Sequence, residues 1–373
     1  MAELSVGKSI WDPSVPSPLV YVEMEICRRN IEKMASLTKE QGVGLRPHIK
    51  THKLKALGAL QLNKGAIGLT VAKPSEALSF RKNGLVTEYL IAQPFLTLAQ
   101  VNEMVTFSEE TPVLFCVDDE RVAEVIGDAF AKNGRQAPII LIVDTGYGRM
   151  GVPYSRAVEK AAALASLKGV RFVGIRSHAG HIYREESEQG RLKVAREEAE
   201  RMAEVAAQLR KSGIDCPIVS VGSTPGAYYI LQHHLTDGIT EVRPGNYVFH
   251  DRMQISLGVA SLNDCALWVV ATIVSAPEKG RAIIDAGLKT LSGTLDRFSF
   301  GYGLVKNLHG AVIDRLWEEC GSIRSDEGLA IGQRVLIIPN HACEITNLAP
   351  VVFYGRRGGI EGFWVPEARA CVW

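Results

Sequence analysis

The stretch Arg46-Pro47-His48-Ile49-Lys50-Thr51-His52-Lys53 gathers three cationic side chains and two imidazoles behind a short apolar lead-in, Val43-Gly44-Leu45. A lysine amine placed opposite an anion site can hold a carbonyl cofactor as a Schiff base. If the segment is a strand, alternate side chains go to opposite faces. Arg46, His48 and Lys50 then share one face, with Lys50 at the strand's end. A basic surface turn is the competing reading. A second constellation is Pro339-Asn340-His341-Ala342-Cys343. In an extended segment His341 and Cys343 share a face, and imidazole plus thiolate suits zinc. Two donors make either an open metal site completed by water and substrate, or simply a core His and a core Cys.

The elements that must position these groups follow a rhythm of short apolar run, turn and amphipathic helix. Leu19–Met24 reads as a strand and 27–40 as a helix. Strand-like runs then fall at 45–50, 68–72, 89–93, 113–117, 139–144, 172–177, 218–222 and 241–243, with helical stretches such as 53–62, 74–83, 123–133, 156–166 and 191–212 between them. Alternation of this kind implies a parallel sheet. Eight units in about 200 residues suit a (β/α)8 TIM-type barrel, and a doubly wound open sheet is the alternative. From Tyr247 the pattern turns β-rich, with runs at 248–257, 265–275, 281–286, 310–317, 334–339, 351–355 and 362–373. The expected organisation is therefore α/β: a barrel over 1–246 and a mostly antiparallel β-domain over 247–373, with residues 1–24 compatible with either.

A parallel barrel displays its chemistry at the carboxyl ends of its strands. Lys50 ends the first run. Asp144 leads into Thr145-Gly146-Tyr147-Gly148-Arg149-Met150-Gly151, and His178 into Ala179-Gly180-His181-Ile182-Tyr183. The seventh and eighth runs end in Gly222-Ser223-Thr224-Pro225-Gly226 and Arg243-Pro244-Gly245-Asn246-Tyr247. Gly-Ser-Thr opening a helix offers amides and hydroxyls to an anion, and the loops after strands 7 and 8 are the usual phosphate site of a barrel. A lysine facing such a site suggests pyridoxal phosphate.

Composition narrows the class. Hydrophobic residues make up 46% and charged ones 22%, the balance of a globular enzyme. Lys plus Arg (42) nearly equal Asp plus Glu (41), so no basic field exists for a nucleic-acid backbone. No apolar run reaches membrane-spanning length, and Met1 to Ile10 lack the apolar core of a secretory leader. Seven scattered cysteines, most inside apolar runs, point to a reducing, cytoplasmic setting without structural disulfides.

The motifs Arg46-Pro47-His48-Ile49-Lys50-Thr51-His52-Lys53, Ser177-His178-Ala179-Gly180, Val219-Ser220-Val221-Gly222-Ser223-Thr224-Pro225, Arg243-Pro244-Gly245-Asn246-Tyr247 and Pro339-Asn340-His341-Ala342-Cys343, in that order, resemble the D-serine dehydratase / D-threonine aldolase family. This is the metal-assisted branch of the alanine-racemase-like, fold type III pyridoxal phosphate enzymes, and the resemblance covers nearly the whole chain. It implies a barrel plus a C-terminal β-domain, a head-to-tail homodimer, and a small-molecule D-amino acid as substrate. It also implies that Lys50 carries pyridoxal 5'-phosphate and moves the Cα proton. Arg149 would contact the phenolic oxygen of the cofactor, Tyr183 would lie near the pyridine nitrogen, and His178 against the ring. Gly222, Ser223, Thr224, Gly245 and Asn246 would hold the phosphate, and His341 and Cys343 a divalent metal, zinc in the first place.

In this family dehydratases resemble His-x-Cys at the metal and aldolases His-x-Asp. The resemblance therefore implies dehydration of a D-3-hydroxy amino acid such as D-serine, D-threonine or D-3-hydroxyaspartate to a 2-oxo acid and ammonia. Retro-aldol cleavage and racemisation are the alternatives within the same cofactor chemistry, and a non-catalytic pyridoxal phosphate-binding protein is the alternative outside it. One departure stands out. Many relatives carry Glu-His-Gly ahead of the metal strand, where this chain has Ser325-Asp326-Glu327-Gly328 without a histidine.

Overall fold

The computed structural model describes residues 2–326 and 328–373, and the chain folds as two compact units. One comprises residues 33–50, 55–245 and 371–373, the other the residues up to Glu32 together with 51–54 and 246–370.

Among the described residues of the first unit, eight parallel strands lie side by side. Their order is Gly44–Leu45, Glu241–Val242, Ile218–Val221, Val170–Arg176, Ala137–Asp144, Val113–Val117, Tyr89–Ile91 and Leu69–Val71. A parallel bridge between His48 and Thr70 joins the ends of this row and closes the barrel. Seven of the eight coincide with the runs read from the sequence, and the first meets its run, 45–50, only at Leu45. The physical reason is that each strand of such a barrel is covered on both faces, so it must be apolar nearly throughout. Leu90, Leu114, Cys116, Ile140, Ile142 and Val173 form one buried cluster of this kind. Between the strands run amphipathic helices with their own start signals. Asp119 caps Glu120–Ala131 by accepting from the Arg121 amide at 2.9 Å, and Ser187 caps Glu188–Lys211 by accepting from Gly190.

The first strand is shorter than its run of residues suggested. It ends at Leu45, and Ile49–Thr51 is a turn of 3-10 helix, so Lys50 stands in a turn beyond the strand rather than at its last position. Pro47 has no N–H with which to extend a ladder. Arg46 does not share a face with Lys50 in solvent. It is buried, with Nε donating to Glu241 Oε2 at 2.9 Å and Nη1 2.8 Å from Glu88.

In the second unit Arg281–Ile284, Gly321–Arg324, Val312–Leu316, Leu304–Val305, Arg334–Ile338 and Leu267–Glu278 make a ring, closed by antiparallel pairing of the last with the first. Leu19–Glu23 extends it, antiparallel to Leu267–Glu278 and parallel to Val352–Arg356, with Gly359–Trp364 outermost. Its core holds Tyr21 stacked on Trp268 at 5.6 Å between ring centroids, with Leu336, Phe353 and Ile360.

Two expected β-runs differ. Residues 248–257 are not a strand: Asp251 caps a short helix, Arg252–Ser256, by accepting from the Gln254 amide. An Asx cap of this kind competes directly with extended backbone. His341 occupies the N-cap position of the helix Ala342–Leu348 without a side-chain capping bond, so the His-x-Cys pair sits at a helix start instead of in a strand. Glu327, part of the segment without the histidine, lies outside the described residues.

Candidate active site and metal pair

In the barrel unit Lys50, whose side chain is exposed, lies within electrostatic reach of His48 and His178. The His48 amide donates to the Pro244 carbonyl at 2.9 Å, tying the lysine turn to the loop after the eighth strand. Both nearby imidazoles, His48 and His178, are held well below the ordinary histidine range. Burial is the main cause, and the positive charges of Lys50, Arg243 and Arg176 add to it. For His178 the charge of Arg149 acts in the same direction. Arg176 and Arg243 are themselves buried, donating to the Ala92 and Ser177 carbonyls, and burial beside Arg176 lowers Arg243 to about 10. The result is a neutral pair of imidazoles beside a lysine.

The loop Asp144–Gly151 is organised by one carboxylate. Asp144 accepts from the amides of Gly146, Tyr147 and Gly148 at 2.8 to 2.9 Å. This presents the Tyr147 ring edge-on to His178, 5.9 Å away, with the Arg149 guanidinium 5.1 Å from the same ring. Gly180 is required here, because a Cβ would come within 2.6 Å of the Tyr147 ring. Tyr183 follows in the 3-10 turn Gly180–Arg184, half-buried.

The two glycine loops are joined to each other. Gly222 takes a φ of +91°, a conformation that favours glycine, and lets the chain turn into the helix Thr224–Gln232. Ser223 caps that helix by accepting from the Gly226 amide at 3.2 Å, and Thr224 Oγ1 accepts from the Gly245 amide at 3.2 Å. An anion would therefore meet a helix N-terminus whose loops are already fixed. Asn246 belongs to the other unit, and its side-chain amide donates to Asp251.

Sequence reading overlooked Glu198, which does much of this fixing. Buried in the helix Glu188–Lys211, its Oε1 accepts from the Ser177 hydroxyl at 2.6 Å, the Ala179 amide at 3.0 Å and the Gly222 amide at 3.3 Å. It thus spans both sides of His178 and reaches the glycine turn. The available signal was a charge on the apolar face of an amphipathic helix. Arg176 was also overlooked, though a cation closing the apolar run at 172–177 is conspicuous.

In the second unit His341 and Cys343 are hydrogen-bonded to one another. Burial opposes a charge on His341, but the Cys343 sulfur and Asp251 outweigh it and push its pKa up. Cys343 Sγ also lies 3.1 Å from the hydroxyl of Thr51, the residue after Lys50, and Thr346 Oγ1 donates to the Thr51 carbonyl. Among the described residues no group of three or more His, Cys, Asp or Glu side chains is disposed around a common point. The donor set is one nitrogen and one sulfur within reach of each other, which fits an open metal site with room for further ligands and not a closed structural one. The lysine, the neutral imidazoles and the capped glycine loops likewise fit a phosphorylated carbonyl cofactor.

Comparison with known proteins agrees with this geometry. Residues 22–253 match the family of the alanine racemase N-terminal domain, and residues 266–354 the putative serine dehydratase domain. The D-threo-3-hydroxyaspartate dehydratase of Delftia sp. (strain HT23) is 32% identical over 88% of this chain and 91% of its own. The D-threonine aldolase of Arthrobacter sp. is 28% identical over 95% and 93%. Among solved structures, a cysteine-to-alanine mutant of D-threo-3-hydroxyaspartate dehydratase in the metal-free form superposes with a TM-score of 0.87. It is 29% identical, covering 95% of this chain and 98% of that one. With both domain families matched in order and the fold shared along the chain, this protein belongs to the D-serine dehydratase / D-threonine aldolase family of alanine-racemase-like, fold type III pyridoxal phosphate enzymes.

Proposed function

We propose that the protein is a pyridoxal phosphate- and divalent metal-dependent carbon–oxygen lyase. It dehydrates D-3-hydroxy amino acids, with D-threo-3-hydroxyaspartate, D-serine and D-threonine as the candidate substrates. The observation that carries the reading is a thiol, Cys343, paired with His341 where an aldolase would place a carboxylate. When bound, the cofactor supplies an electron sink for the Cα carbanion and the metal a Lewis acid for the departing hydroxide.

Lys50 holds the cofactor and takes the proton from Cα. Neutral His48 and His178 add no charge of their own beside the lysine turn. Burial first, and the neighbouring cations second, keep them neutral. Glu198, through the Ser177 hydroxyl and the Ala179 amide, anchors the chain on both sides of His178. Arg149, carried by the Asp144-capped loop, is placed for a phenolic oxygen. The helix that begins at Ser223 receives the phosphate. His341 and Cys343 hold the metal, zinc by the softness of the sulfur donor. Loss of hydroxide after proton removal yields an aminoacrylate, whose hydrolysis gives a 2-oxo acid and ammonia.

The Arthrobacter relative keeps retro-aldol cleavage as the second reading. Product analysis of the three D-amino acids, with chelator and after adding zinc back, separates the two. Ammonia plus a 2-oxo acid, lost on chelation and restored by zinc, supports dehydration. Glycine plus an aldehyde establishes cleavage instead. Lys50→Ala is expected to abolish cofactor absorbance and turnover together. Cys343→Ala is expected to spare the absorbance and remove the metal-dependent rate. The proposal includes a homodimer, which sedimentation of the holoprotein checks. No helix among the described residues is long and apolar enough to cross a membrane.

A further inference from the structure

Behind the metal pair stands a carboxylate to which the proposed chemistry gives no role. Asp251 is fully buried, and its two oxygens divide their work. Oδ1 accepts from the Gln254 amide at 3.1 Å and caps the helix Arg252–Ser256. Oδ2 lies 3.2 Å from His341 Nδ1, accepts from the Ala342 amide at 2.9 Å, and takes the side-chain amide of Asn246. Burying a carboxylate is costly unless hydrogen bonds replace its water, and four donors do so here. A helix cap needs only one oxygen and tolerates Ser or Asn as well as Asp. The second oxygen, with its full set of donors aimed at the His-x-Cys segment, is in excess of what capping requires.

Its contacts are those that would fix a metal ligand. An imidazole donating Nδ1–H to a carboxylate is locked in one tautomer and one ring plane, with the opposite nitrogen more basic. For His341 that leaves Nε2 as the metal-facing nitrogen. Ala342 lies between the two donors in sequence, so the bond from its amide holds the backbone that sets the spacing of imidazole and thiol. One buried oxygen thereby governs both the orientation of the histidine and the geometry of the pair.

We propose that Asp251 is a positioning residue for the metal: it holds His341 with Nε2 free and clamps the backbone joining His341 to Cys343. The proposal rests on reading His341 and Cys343 as metal donors.

The test is zinc affinity of the pyridoxal phosphate-loaded, metal-stripped protein, measured by competition with a chromophoric chelator. The variants are Asp251→Asn, Asp251→Ser and Cys343→Ala. Ser keeps a cap on Arg252–Ser256 but cannot reach His341, so it serves if Asn, with its donor group facing other donors, folds poorly. Asp251→Asn and Asp251→Ser are expected to weaken zinc binding by about 10- to 100-fold. Stripping buried donors of their acceptor lowers the melting temperature, so affinity is read on protein held well below each variant's transition; cofactor absorbance should stay near the parent's there, which a merely structural role would not allow. Parent-like zinc affinity in both Asp251 variants, with affinity lost in Cys343→Ala, overturns the positioning role and leaves the metal pair standing. Parent-like affinity in Cys343→Ala itself removes the metal reading on which the proposal rests. Zinc affinity and cofactor absorbance lost together in the folded variants reduce Asp251 to a structural role and also overturn it.

Discussion

The two imidazoles beside Lys50 add no charge to those of Arg149, Arg176 and Arg243, and burial more than any charged neighbour keeps them neutral. His48 and His178 are held neutral by desolvation first and by the surrounding cations second. The unfolded chain takes up protons at these positions near the ordinary histidine value of 6.5, while the folded chain takes them up only at lower pH. Above about pH 7 the two histidines contribute nothing to the pH dependence of stability. As pH falls below about 6.5 the unfolded state binds more protons, and each histidine destabilises the fold by up to about 1.4 kcal/mol per pH unit. The unfolding free energy of His178→Asn is therefore expected to fall less steeply between pH 7 and 5 than that of the parent. An equal fall in unfolding free energy from pH 7 to pH 5 in parent and variant, each taken from urea titrations, would refute the depressed pKa.

At the scale of elements, what matters is how loops of different strands are held in mutual register. Ser223 caps the helix at the glycine turn, and Ser223→Ala is expected to cost about 0.5–2 kcal/mol while weakening cofactor retention during dialysis. Glu198 links the loop bearing His178 to Gly222 through three donors on one oxygen. Its truncation to Ala leaves the Ser177 hydroxyl and two amides without their acceptor. At about 1–3 kcal/mol for an unsatisfied buried group, the variant should unfold at clearly lower denaturant. In whatever fraction stays folded, its cofactor spectrum should be altered, because the His178 loop is no longer fixed. A stability loss with an unchanged spectrum would confine Glu198 to packing.

On the scale of the whole molecule, the barrel is closed where its first strand is shortest. Gly44–Leu45 and Glu241–Val242 contribute two residues each, and the His48–Thr70 bridge completes the circle. Short strands supply few ladder bonds, and side chains make up the difference. Arg46 and Glu241 are both almost fully buried and paired at 2.9 Å, Glu241 also accepts from Ser220 at 2.5 Å, and Thr70 Oγ1 donates to the Arg46 carbonyl. Removing Glu241 leaves the buried Arg46 with only the half-buried Glu88 as counter-charge, so Glu241→Ala is expected to destabilise by less than the about 3–5 kcal/mol of a fully stranded charge, read by chemical denaturation. Replacing both residues together by apolar side chains should recover part of that loss. A Glu241→Ala variant as stable as the parent would show that the ladder alone closes the barrel.

The amino-acid sequence by itself determined seven of the eight barrel strands, the placing of helices between them, the lysine, the glycine loops and the His-x-Cys pair. These are properties of local pattern: a strand covered on both faces must be apolar, a turn with positive φ favours glycine, and soft donors two residues apart announce themselves. Tertiary structure alone decided the rest. That Lys50 stands in a 3-10 turn follows from Pro47 and from the bond of His48 to Pro244, a residue almost two hundred positions away. That 248–257 is helical around Asp251, and that His341 starts a helix, depended on where one carboxylate could find its donors. Glu198 and Asp251 carry no spacing signature, because a buried carboxylate acquires its role from the amides and imidazole that folding brings to it.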